Sequence, residues 1–430
     1  MPVASFPAAD KIKSLPGQPH VSFQQFSGFI TVDEKQQRAL FYYFVEAETD
    51  PASKPLVLWL TGGPGCSSVG AGAFVEHGPF KTTGDNLVKN EYSWNKEANM
   101  LYLESPAGVG FSYSANQSFY NHVNDEMTGH YVPQLAQLIV KSKVKFNLKG
   151  IAIGNPLLEF STDFNSADEY YWSHGLIADD VYSLLVNVCN SSQIMRAAIR
   201  DLDAPACTAV YNRLVKELGG KSIDPYNVIG DVCLSSGQSQ MESLYQPLRA
   251  RFQDLSSPRS RSDALSQQEV QEEEDVCAQQ KTDKYLNRKD VQQALHARLV
   301  GVARWNLCGN ITQLYDARER EKPTITVVGS LVKSGIRALV YSGDQDSVIP
   351  FTGTRTLVNV LAKVLGLKTT VPYRPWFEGK QVGGWTQVYG NLQLSFVTIR
   401  GASHIAPASQ PVRSLTLFKA FLAGKPLPNA

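Results

Sequence analysis

An acid and a histidine near the carboxyl terminus are the residues of this sequence best placed to do chemistry. Asp346 follows the apolar run IRALVYSG, and His404 follows the apolar run LSFVTIRG. A carboxylate that accepts a hydrogen bond from an imidazole fixes its tautomer and stabilises its charged form, so that the imidazole can transfer a proton. Either residue alone is more often structural. Their shared position after a strand predicts that they are the acid and base of a catalytic triad.

A glycine turn upstream could bind an oxyanion. The segment WLTGGPGCSS spans residues 59–68 and places Gly62 and Gly63 directly after an apolar run. The backbone N–H groups of glycines are not obstructed by a Cβ and can point at a developing negative charge. A tight strand-to-helix turn is the alternative interpretation of the same residues.

The elements that must position these residues follow from the pattern of apolar runs. Short runs end in glycine or polar residues at PLVLWL, ANMLYLES, KGIAIG, IRALVYSG and LSFVTIRG. Such runs, separated by helical segments such as TGTRTLVNVLAKVLG and QPVRSLTLFKAFLAG, predict a parallel sheet in an α/β fold. Catalytic groups belong at the carboxyl ends of those strands. VSFQQFSGFITV and RALFYYFVEAE, on either side of the polar turn DEKQQ, predict a β-hairpin.

The spacing of the strands divides the chain into three parts. Residues 20–159 and 326–430 carry the predicted strands of the core. Residues 160–325 are predicted to be a mostly helical insertion, or cap, and hold five of the six cysteines. Within the cap, residues 254–275 have almost no apolar content, which predicts a disordered excursion, with an ordinary solvated loop as the alternative.

Composition argues against several classes of function. The 41 basic and 40 acidic residues nearly cancel, without a basic stripe or an acidic tail, so we expect no binding to nucleic acid or to a membrane surface. No apolar stretch reaches the ~20 residues of a membrane span. The cysteines form no CxxC pair and have no histidine at ligand spacing, so we expect neither a metal site nor a cofactor.

Cysteines and glycosylation sequons favour an oxidising, secretory compartment. Six cysteines suit three disulfides, and Asn-x-Ser/Thr sequons occur at Asn116, Asn190 and Asn310. The first 20 residues lack the apolar segment of a signal peptide, so we expect that any such peptide has been removed or was not included.

Six motifs together resemble those of a known enzyme family. WLTGGPGCSS, LESPAGVGFSYS, GHYVPQLA, KGIAIGNP, YSGDQDSVIP and GASHIAP follow one another in this order. They resemble the serine carboxypeptidase family, and most closely its plant serine carboxypeptidase-like members, from VSFQQFSGF to the end of the chain. The resemblance implies an α/β-hydrolase fold with an inserted cap, in a secreted or vacuolar glycoprotein. It implies removal of C-terminal residues from peptides, although some plant relatives transfer acyl groups. Peptides or small-molecule esters are the expected partners, and relatives are often homodimers.

The resemblance also implies roles for residues of this sequence. Asp346 and His404 match the acid and base of the family's triad. The backbone of Gly63 matches a donor of its oxyanion hole. Gly62 and Glu76 match groups that bind the terminal carboxylate of the substrate, which requires an N–H donor or a protonated acid because two carboxylates repel each other.

Two further features are implied by the same resemblance. Thr61 stands where the family has an asparagine in the carboxylate-binding group, so the donor geometry there differs. One implied disulfide, Cys66–Cys308, joins core and cap, and the other two lie within the cap. Sequence alone allows 15 pairings of six cysteines. The implied pairs within the cap are Cys189–Cys207 and Cys233–Cys277.

The nucleophile of the family is missing from this sequence. In the family a Gly-Glu-Ser-Tyr-Ala/Gly segment directly precedes Gly-His-Tyr-Val-Pro, but here Asp-Glu-Met-Thr, ending at Thr128, precedes Gly129. Substitution is one explanation. Deletion of a strand–helix unit of ~30 residues is the better one, since VNDEMT resembles a segment well upstream in the family. The chain contains no Gly-x-Ser-x-Gly, and the nearest candidates, Ser67 and Ser112, lack the second glycine and the strand-to-helix elbow.

The missing segment has two predicted consequences. Removal of a triad nucleophile costs a factor near 10⁶ in turnover, so the chain is predicted to be inactive as a peptidase. Strands next to the lost one would keep unpaired backbone groups, each costing ~1–3 kcal/mol when buried, so the chain is predicted to fold poorly unless the sheet closes by re-pairing. Three functions remain open: an inactive form of a serine carboxypeptidase, a catalytically dead binding protein, and a serine carboxypeptidase-like acyltransferase.

Overall fold

Two β-sheets with flanking helices form the centre of the protein. The computed structural model describes residues 7–63, 65–121, 131–219, 223–233, 275–309 and 317–429. All five apolar runs of the sequence form strands, and the architecture is that of an α/β hydrolase. The strands are β1 Lys11–Ile12, β2 Gln25–Asp33, β3 Arg38–Val45, β4 Leu56–Trp59, β5 Phe80–Thr82, β6 Leu87–Lys89, β7 Asn99–Leu103, β8 Tyr113–Ser114, β9 Gly150–Gly154, β10 Arg337–Gly343, β11 Thr369–Glu378, β12 Gln381–Tyr389 and β13 Leu394–Ile399.

The first sheet is built from amino-terminal strands in the order β1-β2-β3-β7-β4, with β8 paired to β3. Strands β2 and β3 are the predicted antiparallel hairpin. Aromatic and β-branched residues favour this extended, half-buried conformation, and Gln37 closes the turn with a positive φ of 50°. Strand β4 lies at the end of the sheet, parallel to β7.

The second sheet has the order β11-β12-β13-β10-β9, in which β9, β10 and β13 are parallel. Alternate residues of these parallel strands point to opposite faces, and both faces are covered. Val340 packs among helical residues such as Val358, whereas Leu339 packs on the other face with Leu417. Burial on both faces explains why these strands are continuous apolar runs.

Helices flank both sheets and fill the predicted cap. Within the described residues the cap region is mostly helical, and no helix is long and apolar enough to cross a membrane. The helices are α1 Tyr131–Lys141, α2 Phe160–Ser173, α3 Asp179–Asn187, α4 Ser191–Ile199, α5 Pro205–Glu217, α6 Ala278–Leu286, α7 Lys289–Ala294, α8 Ile325–Lys333, α9 Phe351–Val364, α10 Ala406–Ser409 and α11 Pro411–Ala423, together with a π-helix over Ser68–Glu76.

Strands β4 and β9 are each paired on one side only. Among the described residues β4 pairs with β7, and β9 pairs with β10. The apolar run at β4 predicts burial on both faces, and this expectation is wrong: Leu56 is 64% exposed and Leu58 is 36% exposed. The reason is that no described strand or helix covers the face of β4 that carries Leu56 and Leu58, whereas Val57 and Trp59 pack against the core on the other face. The two sheets therefore do not close up by pairing β4 with β9.

Three disulfides join the chain. They are Cys66–Cys308, Cys189–Cys207 and Cys233–Cys277, the same pairs that the resemblance implies. The first links the turn after β4 to the segment that follows the cap helices. Residues 254–274, most of the predicted excursion, lie outside the described residues.

The sequons lie in different surroundings. Asn116 is exposed and accepts hydrogen bonds from the Ser118 backbone and hydroxyl. Asn190 is partly exposed and caps α4 by accepting a hydrogen bond from the Gln193 backbone. Asn310 lies outside the described residues. Glycosylation of these sites stays a prediction.

Candidate active site

Asp346 and His404 are hydrogen-bonded at the carboxyl ends of neighbouring strands. Asp346 follows β10, His404 follows β13, and His404 Nδ1 lies 2.8 Å from Asp346 Oδ2. Asp346 is fully buried, and its other oxygen accepts the backbone N–H of Val348 at 2.9 Å. Burial lowers the pKa of His404, but Asp346 with its hydrogen bond, followed by Glu76 and Asp224, raises it above the ordinary value. The pair therefore has the geometry of an acid that orients a base.

A short loop of the cap, residues 223–233, packs on this pair. The backbone N–H of His404 donates to the Tyr226 carbonyl at 2.8 Å, and the two rings meet edge-on with centroids 5.1 Å apart. The Ser347 hydroxyl donates to the Pro225 carbonyl at 2.7 Å. These contacts are missed by sequence reasoning because Tyr226 and His404 are far apart in the chain. Cap and core therefore form the histidine's surroundings together.

Asn155 joins the ends of three strands. It follows β9 with a positive φ of 42°, and it is buried. Its side-chain carbonyl accepts the Gly343 N–H at 2.8 Å, and its side-chain amide donates to the carbonyl of His404. It thereby fixes the histidine loop against the end of β10. Sequence reasoning missed Asn155, although an asparagine directly after a strand-ending glycine is a signal for this left-handed conformation.

The glycine turn after β4 presents backbone to the same region. Gly63 has a φ of 138°, which favours glycine, and a Cβ at Gly62 would meet no atom within 4 Å. The Thr61 backbone donates to the Ser68 hydroxyl at 2.9 Å, and the Thr61 hydroxyl accepts from the Trp59 indole N–H at 3.0 Å. The turn is thus held from the strand side and from the π-helix. The N–H groups of both glycines donate to no acceptor among the described residues.

Glu76 is a buried acid beside this turn. It ends the π-helix, and it is 4% exposed. Burial raises its pKa to about 7, against the lowering effect of the nearby His404 charge. A carboxyl with such a pKa is protonated for a large fraction of the time near neutral pH and can then donate a hydrogen bond to a second carboxylate.

Ser67 and Ser112, the serines whose surroundings come nearest to a nucleophile motif, both have structural hydrogen bonds. Both are buried, and both bond to Glu104. The Ser67 hydroxyl donates to the Glu104 carboxylate and accepts the Gly70 N–H at 2.8 Å. The Ser112 hydroxyl donates to the Glu104 carbonyl at 2.7 Å and accepts the Phe41 N–H at 2.7 Å. Neither hydroxyl bonds to the His404 imidazole.

A large cavity connects these groups. Its volume is about 1210 Å³, and its walls include β4, the glycine turn, Glu76, β9 and His404. It therefore extends from the polar groups at the carboxyl ends of β4 and β9 along the facing edges of both strands. No group of three or more potential metal ligands is present in the described parts of the chain.

Comparison with known proteins identifies the family. The family model described as "Serine carboxypeptidase" matches residues 16–128 and residues 124–424. The chain belongs to the serine carboxypeptidase family. Serine carboxypeptidase-like 45 and serine carboxypeptidase-like 46 of Arabidopsis thaliana are 54% and 53% identical to it, each over 455 aligned positions that cover 98% of this chain and 94% and 93% of the relatives.

A solved carboxypeptidase structure has the same fold. KEX1(delta)p, a prohormone-processing carboxypeptidase from Saccharomyces cerevisiae, superposes with a TM-score of 0.72 at 20% identity, over 96% of this chain and 95% of that one. The similarity extends over core and cap alike. The α/β-hydrolase fold that the resemblance implies is therefore confirmed.

The match to the serine carboxypeptidase family has one irregularity. The family model aligns as two blocks that meet at residues 124–128 rather than as one. The alignment with serine carboxypeptidase-like 45 is 455 positions long, whereas the chain has 430 residues, so at least 25 residues of the relative have no counterpart here.

Proposed function

We propose that this chain is a nucleophile-less member of the serine carboxypeptidase family that binds the C-terminal carboxylate of peptides without hydrolysing them. One observation carries the proposal: the acid–base pair is assembled, yet the sequence contains no Gly-x-Ser-x-Gly. Acid and base without a nucleophile cannot form an acyl-enzyme.

Three observations support a deletion immediately before Gly129. The two family blocks meet within five residues of that position. The aligned relative contributes at least 25 residues that this chain lacks. Strands β4 and β9 have free facing edges in the described structure, separated by the cavity. The deletion of one strand and the helix that follows it would account for all three observations.

The remaining groups have defined tasks in binding. Protonated Glu76 and the N–H of Gly62 bind the terminal carboxylate of the peptide, with Thr61 supplying a hydroxyl. The N–H of Gly63 binds the next carbonyl. His404, held by Asp346, adds positive charge close to the ligand when it is protonated. The result is a pocket for a peptide C-terminus in which hydrolysis stops for want of an attacking oxygen.

Acyl transfer is not favoured over binding. A serine carboxypeptidase-like acyltransferase forms its acyl-enzyme on the same kind of nucleophile. The absence of the Gly-x-Ser-x-Gly segment therefore removes both activities together. A binding protein and an inactive form of a carboxypeptidase remain, and we place either in an extracellular or vacuolar compartment, where its disulfides are stable.

The activity test uses purified protein and a chimaera. We expect no hydrolysis of a blocked dipeptide and no labelling by a fluorophosphonate probe. In the chimaera, the residues of serine carboxypeptidase-like 45 that have no counterpart in this chain are inserted between Thr128 and Gly129. We expect this insertion to restore hydrolysis and labelling, and to raise turnover by a factor approaching the ~10⁶-fold effect of a triad nucleophile. The same chimaera with His404→Ala is the control. Labelling of the unmodified chain that disappears in its own His404→Ala variant would refute the proposal.

Binding and origin are tested separately. Calorimetric titration with a blocked dipeptide acid is expected to show binding, and the matching dipeptide amide is expected not to bind. Sequencing the locus and transcripts across the codons of Thr128 and Gly129 decides the origin. An intact exon that encodes the elbow would make this chain an inactive form of a carboxypeptidase. Contiguous codons would mean that the protein has lost its nucleophile and that its function must be sought in binding rather than hydrolysis.

A further inference from the structure

The free edges of β4 and β9 face each other across the cavity. Each strand is hydrogen-bonded on one side only among the described residues, and both strands line the cavity. In any strand, alternate residues direct both backbone groups to opposite sides. About half of the N–H and C=O groups of each strand therefore point into the space between them. Such edges are templates for pairing with another extended chain.

We propose that this space, the β4–β9 slot, binds the last five or six residues of an extended apolar peptide as a strand parallel to both edges. The peptide would then connect the two sheets. This proposal rests on the proposed function in one respect, which is that the carboxylate pocket binds the C-terminus of the peptide.

The direction of the bound strand follows from the two edges. Glycines 62 and 63 follow the carboxyl end of β4, and Asn155 follows the carboxyl end of β9. A strand parallel to both therefore runs towards the polar groups, and its own C-terminus arrives beside Glu76 and Gly62. An antiparallel strand would direct its amino terminus there, where the N–H groups of Gly62 and Gly63 and the nearby His404 imidazole suit a carboxylate better than an ammonium group.

The chemistry of the walls selects a peptide over a lipid. Leu56, Leu58 and Ile153 contribute apolar side chains, which suit a ligand with β-branched or aliphatic residues. The backbone edges, however, need hydrogen-bond partners that an acyl chain cannot supply. The cavity of about 1210 Å³ also exceeds the ~300–1,000 Å³ of ordinary ligand pockets, so a terminal residue alone leaves most of it unfilled. β9 has five residues, or roughly 16 Å at the rise of a strand, which sets the length of the bound segment.

The test uses a fluorescein-labelled peptide, Lys-Lys-Val-Thr-Val-Ile-Val, with a free carboxylate and the dye on its amino terminus. Fluorescence anisotropy with the full chain is expected to show saturable binding. Two matched peptides carry N-methyl groups at residues 3, 5 and 7 or at residues 4 and 6. Each methylated set removes the donors to one edge, so both peptides are expected to bind roughly tenfold more weakly. Equal binding of all three peptides, or weaker binding of only one methylated peptide, would overturn pairing with both edges.

Two protein variants locate the binding. Leu58→Lys places a charge in the wall and is expected to weaken binding of the peptide. Val364→Lys, at the exposed end of α9 and outside the cavity, is the matched control and is expected to leave binding unchanged. Within residues 55–61 and 149–155, the backbone amides that point into the slot are expected to exchange fast in the free chain and slowly with peptide, whereas those bonded to β7 and β10 serve as the slow reference. Slow exchange of the amides that point into the slot without peptide, in a monomer or in a dimer, would mean that the edges are already paired and would overturn the proposal.

The same peptides separate the slot from the carboxylate pocket. If the heptapeptide binds no more tightly than a blocked dipeptide acid, the slot fails and the pocket stands. If the heptapeptide amide binds as tightly as the acid and the dipeptide acid does not bind, the pocket fails while the slot stands.

Discussion

Two buried glutamates of this protein share a raised pKa but lie in different surroundings. Burial raises the pKa of both Glu76 and Glu104 to about 7. The Glu104 carboxylate accepts the Ser67 hydroxyl and the Phe111 N–H, the latter at 2.6 Å. Glu76 lines the cavity near His404 and makes no hydrogen bond among the described residues. A perturbed pKa thus identifies burial, and only the contacts tell a structural acid from one available to a ligand.

The largest expected difference between the two glutamates is in stability. Glu104→Leu leaves the Ser67 hydroxyl and the Phe111 N–H buried without an acceptor, so we expect the free energy of unfolding to fall by about 4 kcal/mol. At pH 5, where the folded carboxyl is protonated, Glu76→Leu removes no side-chain hydrogen bond within the described structure and is expected to change the free energy of unfolding by less than about 1 kcal/mol. Urea unfolding followed by fluorescence measures both. Glu104→Gln, which keeps an acceptor oxygen, should lose less than Glu104→Leu, and equal losses at the two positions would remove the distinction.

The second expected effect is a pH dependence of stability that both glutamates share. A carboxyl whose pKa rises from 4.5 to about 7 on folding binds its proton more tightly in the folded state. Its contribution is therefore fully present below pH 4.5 and is lost as pH rises through 7, by about 3 kcal/mol for each group. We expect stability to fall between pH 5 and pH 7.5. Glu76→Gln and Glu104→Gln should each flatten this slope. A slope that neither variant changes would assign it to other groups.

Ligand binding should separate the two glutamates again, with a smaller effect. Ionisation of Glu76 above pH 7 repels a bound carboxylate, so affinity for a blocked dipeptide acid is expected to fall by up to about tenfold per pH unit there. Titrations in a His404→Ala background isolate this dependence from that of the imidazole. Glu76→Gln should abolish it, whereas Glu104→Gln should retain it. The same pH dependence in both variants would contradict a role for Glu76 in the pocket.

The smallest expected effect is on the histidine itself. Ionised Glu76 contributes to the raised pKa of His404, after Asp346. Glu76→Gln should therefore lower that pKa slightly, and Glu104→Gln should leave it unchanged. Asp346→Asn is the reference for a large fall. Nuclear magnetic resonance of histidine-labelled protein, with the His404→Ala spectrum for assignment, measures all three. A shift in Glu104→Gln as large as that in Glu76→Gln would show that the effect is not local.

Local patterns in the sequence are sufficient to predict the strands and the pairing of Asp346 with His404. Apolar runs determine where strands lie, and parallel strands bring their carboxyl ends together, so two residues in such positions meet. The disulfide pairs required the family resemblance. The exposure of Leu56 could not be read from its run, because burial depends on which neighbour is present rather than on the strand alone.

The contacts that sequence reasoning missed join distant parts of the chain. Asn155 and His404 are 249 residues apart, and Glu104 reaches Ser67 across 37 residues. The segments around Asn155 and Glu104 do not specify these partners. A buried hydrogen bond between distant residues forms only when their elements pack together, and local sequence does not show which elements will pack. Both residues directly follow a strand, so treating every polar residue at a strand end as a candidate would have identified Asn155 and Glu104.

The Cys66–Cys308 bond bears on the stability of a chain in which β4 and β9 are each paired on one side only among the described residues. It closes a loop of 242 residues, which contains most of the cap and β9. In the chain-entropy account, a ring of that size lowers the conformational entropy of the unfolded ensemble and so raises its free energy by about 5 kcal/mol. This is comparable to the entire stability of many domains, which is ~5–15 kcal/mol. The disulfide thus raises the free energy of the disordered state and offsets part of the cost of the lost strand pairing while the bond stays oxidised.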